Sequence, residues 1–149
     1  MLKPNQTSGP DSGAQKLNRV KIANQAIEVI ASHGRKFFSL AAEGRQVAEN
    51  RISRFELHDN GRLWFIDKYS QKPIYVMYRR GGWRHFSEGG TLRDLVCAFA
   101  DWIVGRKETV QMGYFGPWPE WVCGGDLWGY GDEMKIVREK LKALLVKHD

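Results

Sequence analysis

Apolar and polar residues alternate most regularly between Arg51 and Phe86, and this stretch predicts the sheet. RISRFELHDNGRLWFIDKY carries Asn60-Gly61 between two alternating runs, a pair suited to a two-residue type I′ turn with positive φ at both positions. With those two residues as the loop, Leu57 faces Trp64 and Phe55 faces Ile66 on an apolar side. Arg54 faces Asp67, Glu56 faces Phe65 and His58 faces Leu63 on a mixed side. After the Ser70-Gln71-Lys72-Pro73 turn, a third strand is expected over Ile74 to Arg79. Gly81-Gly82 then leads into a fourth strand, Trp83 to Phe86, with Met77 opposite Phe86 and Tyr78 opposite His85.

Helical periodicity flanks this meander. Leu17, Val20, Ala23, Ile27 and Ile30 recur at steps of three and four, and Gly34 ends that helix after His33. Leu92, Leu95, Val96, Phe99, Trp102 and Ile103 form a second stripe, with Thr91 and Asp94 placed like a capping box and Gly105 as the stop. A third helix is expected from about Asp132, with Met134, Val137, Leu141, Leu144 and Leu145 on one side. Residues 1–15 are polar, with two prolines and two glycines, and read as a disordered tail. The fold class is α+β: one domain over 16–149, an antiparallel three- to four-stranded meander packed against two or three helices. A long aromatic loop precedes the last helix. The stretch 35–50, with Phe37 and Phe38, fits either strand or helix.

Composition narrows the classes. The chain has 149 residues, 42% of them apolar, and a net charge of +6. No apolar run is long enough to span a membrane, and Met1 to Gln15, with one Lys and no apolar core, shows no secretory signal. Two cysteines, Cys97 and Cys123, make neither a disulfide framework nor a zinc site, so a reduced, cytoplasmic protein without cofactor or metal is expected. The first ninety residues hold fifteen basic and eight acidic groups, while the remainder holds eight and nine. This surplus is compatible with DNA or RNA as partner.

Two segments carry candidate chemistry. The mixed sheet face gathers Arg54, His58, Phe65, Tyr78, Arg80, Trp83 and His85, a set in which rings can stack bases and cations meet phosphates. A helix roofing that face would instead turn it into core, and Phe65 and Val76 point that way. Arg79 and Arg84 flank the Gly81-Gly82 turn and are expected to be exposed in either case. The nucleic-acid-binding set is therefore Arg54, Tyr78, Arg79, Arg80, Trp83 and Arg84. The second segment, Tyr114 to Tyr130, holds six aromatic residues among seventeen. Its rings either pin an irregular loop to its own domain or, through Trp118, Trp121 and Trp128, meet a protein partner or a second copy.

Catalytic motifs are absent. The four histidines have no ligand spacing, and no GxSxG or P-loop occurs. His58, His85 and Asp67 could share one face as an acid–base set, although a cross-strand Arg54–Asp67 ion pair is the simpler use of that carboxylate. Cys123 beside Gly124-Gly125 is a thiol without a placed base, and nothing fixes Glu120 and Asp126 at a glycosidase separation.

Four segments, NQAIEVIASHGRKFF, RFELHDNGRLWFID, FSEGGTLRDLV and FGPWPEWVCGGDLWGYG, together resemble a family of small bacterial proteins of prophages and mobile elements. The resemblance covers most of residues 24–135 and implies expression in a bacterial cytoplasm. It carries over no activity and no site residue. The sequence thus leads to a small basic binding protein that engages nucleic acid through a ring-bearing sheet. A protein-interaction module built on the tryptophan loop is the alternative.

Overall fold

A computed structural model describes residues 10–33, 38, 52–125 and 131–146. Helix α1 spans Pro10–Ser32, starting inside the segment expected to be disordered. Proline at the first helical position loses no hydrogen bond, and Asp11 sits where the helix dipole favours an anion. Polar residues 10–15 therefore extend the helix, and the rest of the expected tail, 1–9, lies outside the described residues. Val20, Ala23, Ile27 and Ile30 are buried as the periodicity predicts, joined by Ile22, Ala26 and Ala31. Leu17 is the exception, 47% exposed and off the packed face.

Three strands follow, β1 (Arg54–Leu57), β2 (Leu63–Ile66) and β3 (Pro73–Tyr75), antiparallel in that order. The first pair is shifted by one residue from the expected register: Phe55 lies opposite Phe65 and Leu57 opposite Leu63. The loop is Asp59-Asn60-Gly61. His58 donates to the Arg62 carbonyl at 3.0 Å, and Gly61 alone adopts a positive φ, +84°. A three-residue turn ending in a left-handed glycine replaces the type I′ turn. A slip of one residue exchanges the faces of β2. Phe65 and Leu63 enter the core, while Trp64 turns to the opposite side.

The expected fourth strand does not form, and β3 stops short. Tyr78 donates to the Tyr75 carbonyl at 3.2 Å, turning the chain out of the sheet. His85 takes a φ of +72°, which a strand does not accommodate. Met77 and Phe86 are both partly buried against the core rather than paired in a ladder, and Tyr78 is not opposite His85 in any strand.

Helix α2 (Gly90–Ile103) buries all six residues of its predicted stripe, and Gly105 ends it at φ +89°. It begins before Thr91, with Gly89 as N-cap and no side-chain cap, so the Thr91/Asp94 box is not made. Two short 3-10 turns, Met112–Phe115 and Cys123–Gly125, lead to α3 (Glu133–Leu145), which buries Met134, Val137, Leu141 and Leu145 as expected. Helix α1 packs against β1, α2 and α3. The core is ring-rich: Phe65 meets Phe55 edge-on at 5.2 Å and Phe38 at 6.1 Å, and Phe55 meets Phe99 at 6.3 Å. Phe38 is thus core, as its apolar character suggested, while the rest of 35–50 lies outside the described residues. At the far end of α1, His33 Nδ1 lies 2.8 Å from Glu133 and its Nε2 lies 3.2 Å from Lys140, joining α1 to α3.

One contact seals the sheet edge. Asn24 of α1 donates from Nδ2 to the Phe55 carbonyl at 3.0 Å, and its Oδ1 accepts the Phe55 N–H at 2.7 Å. A single amide thus pairs both backbone groups of Phe55 on the side of β1 away from β2. Asn24→Ala leaves both backbone groups unpaired in a part-buried place and is expected to cost about 1–3 kcal/mol. Chemical denaturation measures the loss, and amide exchange at Phe55 should accelerate with it. Unchanged exchange there would show that the clamp does not hold the edge.

Candidate nucleic-acid interface

With β2 turned over, the sheet face opposite the phenylalanine core carries Arg54, Glu56, Trp64 and Tyr75, with His58 and Arg62 at the adjoining turn. His58 stacks on Trp64 (5.6 Å, 28° between planes), Trp64 lies 5.2 Å from Tyr75, and the Arg62 guanidinium sits 5.2 Å above the Tyr75 ring. Arg54, His58 and Arg62 are exposed, while Trp64 and Tyr75 are partly buried. The mixed face expected from sequence therefore exists with different rings. Phe65 is core, Trp64 and Tyr75 take its place, and neither Trp83 nor His85 belongs to a strand. The change of register is what hid Trp64. Alternation alone could have found it, had the loop been counted as three residues.

Glu56 is the one acidic residue of β1, and it organises its neighbours. Arg54 donates to it from Nε at 2.9 Å, and His58 Nε2 lies at 3.2 Å. Partial burial opposes its ionisation, but the hydrogen bonds and charges of His58 and Arg54 outweigh that and hold the carboxyl below its ordinary value. Its contribution to stability is therefore present above the ordinary carboxylate pKa and is lost as pH falls through the lowered one.

The turn after β3 holds the second group of cations. Arg79 is not free as expected: it donates to the Val76 carbonyl at 2.6 Å and pairs with Asp101 at 3.0 Å, pinning the turn to α2. Trp83 is partly buried. Its indole N–H donates to the Tyr78 carbonyl at 2.8 Å, and Arg93 covers one ring face at 4.5 Å. Arg80 and Arg84 are exposed with no ion pair among the described residues, and the Tyr78 ring is 58% exposed. Pairing of Trp64 with Tyr75 puts this turn at the same end of the sheet as Arg62. Of the six candidate residues, Arg54 lies on the face, and Tyr78 and Arg80 are exposed in the turn that follows β3. Arg84 is exposed beside His85, whose carbonyl accepts from the Ser70 hydroxyl at 2.7 Å toward the other end of the sheet. Arg79 and Trp83 act as local scaffold.

Asp67 does not pair with Arg54, nor does it join His58 and His85. It is fully buried, and its carboxylate accepts the backbone N–H groups of Tyr69, Ser70 and Ser87 and the Ser87 hydroxyl, at 2.9 to 3.3 Å. Beside it, Lys68 pairs with Glu88, and burial pulls the lysine pKa down, partly offset by the Asp67 charge. This polar node fastens the β2–β3 turn to the segment leading into α2. Elsewhere, a cleft of about 480 Å³ between α2 and residues 107–114 is lined by Asp94, Cys97, Asp101, Glu108 and Tyr114. Burial raises the Cys97 thiol despite nearby Arg79 and Arg93, which leaves it a weak nucleophile. No cluster that could hold a metal occurs among the described residues.

The aromatic loop divides. Phe115 is buried, and Trp118 packs on the core and crowds Gly116, whose φ of +78° suits glycine. Trp121 is 85% exposed, while Trp128 and the Cys123 side chain lie outside the described residues.

The family model YoqU matches residues 13–145 of the chain. No curated protein and no solved structure matches it.

The Asp67 node is open to direct test. Asp67→Ala removes the acceptor for four donors, and a loss of about 2–4 kcal/mol is expected in thermal or urea unfolding. Exchange protection should fall first at Ser87 and in the turn 69–72. A loss spread evenly over the chain would deny the node its local role.

Proposed function

The chain belongs to the YoqU family, and from the surface it presents we propose a small non-enzymatic binding protein that engages nucleic acid. The observation that carries this reading is the coincidence, on one sheet face without a described helix packed over it, of exposed arginines with a contiguous set of rings. Arg54 and Arg62 supply charge there, and Trp64, Tyr75 and His58 supply stacking area. Arg80 and Arg84, exposed in the segment between β3 and α2, add to the charge outside the sheet. The net charge of +6 favours the same class of partner. We place its action in the bacterial cytoplasm, on the resemblance to proteins of prophages and mobile elements. No helix among the described residues is long and apolar enough to cross a membrane.

A second reading rests on Trp121. A tryptophan 85% exposed on a loop anchored by Phe115 and Trp118 is suited to fill a pocket on a protein partner.

Fluorescence anisotropy with labelled oligonucleotides tests the leading reading. Binding should weaken linearly in log–log salt plots, and Arg84→Ala should flatten the slope by just under one, as each phosphate contact contributes about 0.7–0.9. Absence of binding at low salt would end the proposal. Glu56→Gln supplies a test of opposite sign. Releasing Arg54 and His58 from the carboxylate should tighten binding several-fold, whereas an unmoved affinity would take Arg54 out of the interface.

A further inference from the structure

Resting on the nucleic-acid reading, we infer that the sheet face takes a single strand rather than a duplex, with Tyr75 and the Arg62 guanidinium as the base platform. Dimensions argue first. Three strands about 4.8 Å apart and three or four residues long make a face of roughly 10 by 10–13 Å. That is room for roughly two bases laid flat, a load comparable with other ring-bearing sheets. Duplex recognition instead needs a helix or ribbon that enters a major groove about 12 Å wide. Among the described residues the sheet projects nothing of that kind, and α2 turns Asp94 and Asp101 toward its cleft.

Charge argues second. Glu56 holds Arg54 and His58, leaving Arg62 as the cation of this face without a carboxylate partner among the described residues. The sheet face by itself offers few phosphate contacts, and duplex affinity comes mainly from several of them. Stacking supplies what charge does not, and only an unpaired base offers its ring face. Arg62 is already placed for such a role: its guanidinium carbon lies 5.2 Å from the Tyr75 ring centre, and the residue is exposed. Arginine planes and tyrosine rings are both surfaces on which bases stack. A base can settle on the guanidinium or displace it and meet Tyr75 directly. Arg80, exposed in the turn that follows β3, then receives a phosphate of the strand as it runs off the sheet.

The experiment compares a labelled dT12 strand with a twelve-base-pair duplex at matched salt, using the full chain. The expected result is tighter binding of the single strand. Tyr75→Ala should weaken that strand about ten-fold or more, as stacking on one ring is worth about 1–3 kcal/mol per base. Tyr75→Phe, which keeps the ring and the packing on Trp64, should retain the affinity, so a folding defect in the alanine variant cannot pass for a lost contact. Arg62→Ala, at an exposed turn position, should weaken the single strand and leave duplex binding unchanged. Equal or tighter duplex binding, or a single strand indifferent to both Tyr75→Ala and Arg62→Ala, overturns the inference while leaving nucleic-acid binding in place. Failure of both probes at low salt overturns the underlying reading as well.

Discussion

Everything in this molecule depends on how a very small sheet is kept from fraying. Strands of three and four residues close few ladder bonds, and a sheet this short is not stable by itself. Helix α1 solves the problem twice. Its alanine- and isoleucine-rich face excludes water from the phenylalanines beneath the sheet, and Asn24 completes the backbone pairing of the outer strand. The side of the sheet away from the phenylalanine core carries exposed Arg54 and the partly buried Trp64–Tyr75 pair beside buried Ile66.

Much of this was legible in the alternation and spacing of apolar residues. The stripes of α2 and α3 follow from helical periodicity, because each buries one face against a single core. The hairpin was legible in place but not in register. Asn-Gly fits a two-residue loop, and nothing local says that the chain will use three residues, with Gly61 alone at positive φ. The core decides, since the observed register puts Phe65 opposite Phe55 and Leu63 opposite Leu57 on the buried side. The start of α1 was hidden by polar residues that read as tail. The role of Asp67 was hidden by distance, because two of its donors belong to Ser87, twenty residues further on.

The candidate interface was legible as a kind of surface and illegible as a list. Rings and arginines on one side of a meander follow from composition and alternation. Which rings they are depends on the register, and the exchange puts the partly buried Trp64 on that face while Phe65 goes to the core. Arg79 and Trp83 show the opposite failure. Both have the right chemistry beside a glycine turn, yet Asp101 and Arg93 occupy them, and contacts from α2 cannot be read from the turn's own residues.

The seating of α1 against α3 also sets an order of events during synthesis. The first helix buries part of its apolar face on the last, and His33 meets Glu133 and Lys140 across about a hundred residues of chain. While the polypeptide is still emerging from the ribosome, that face has no mate, and the strand edge guarded by Asn24 is only loosely supported. The contact between α1 and α3 closes only once α3 has cleared the exit tunnel, and contacts of such sequence separation slow folding in general.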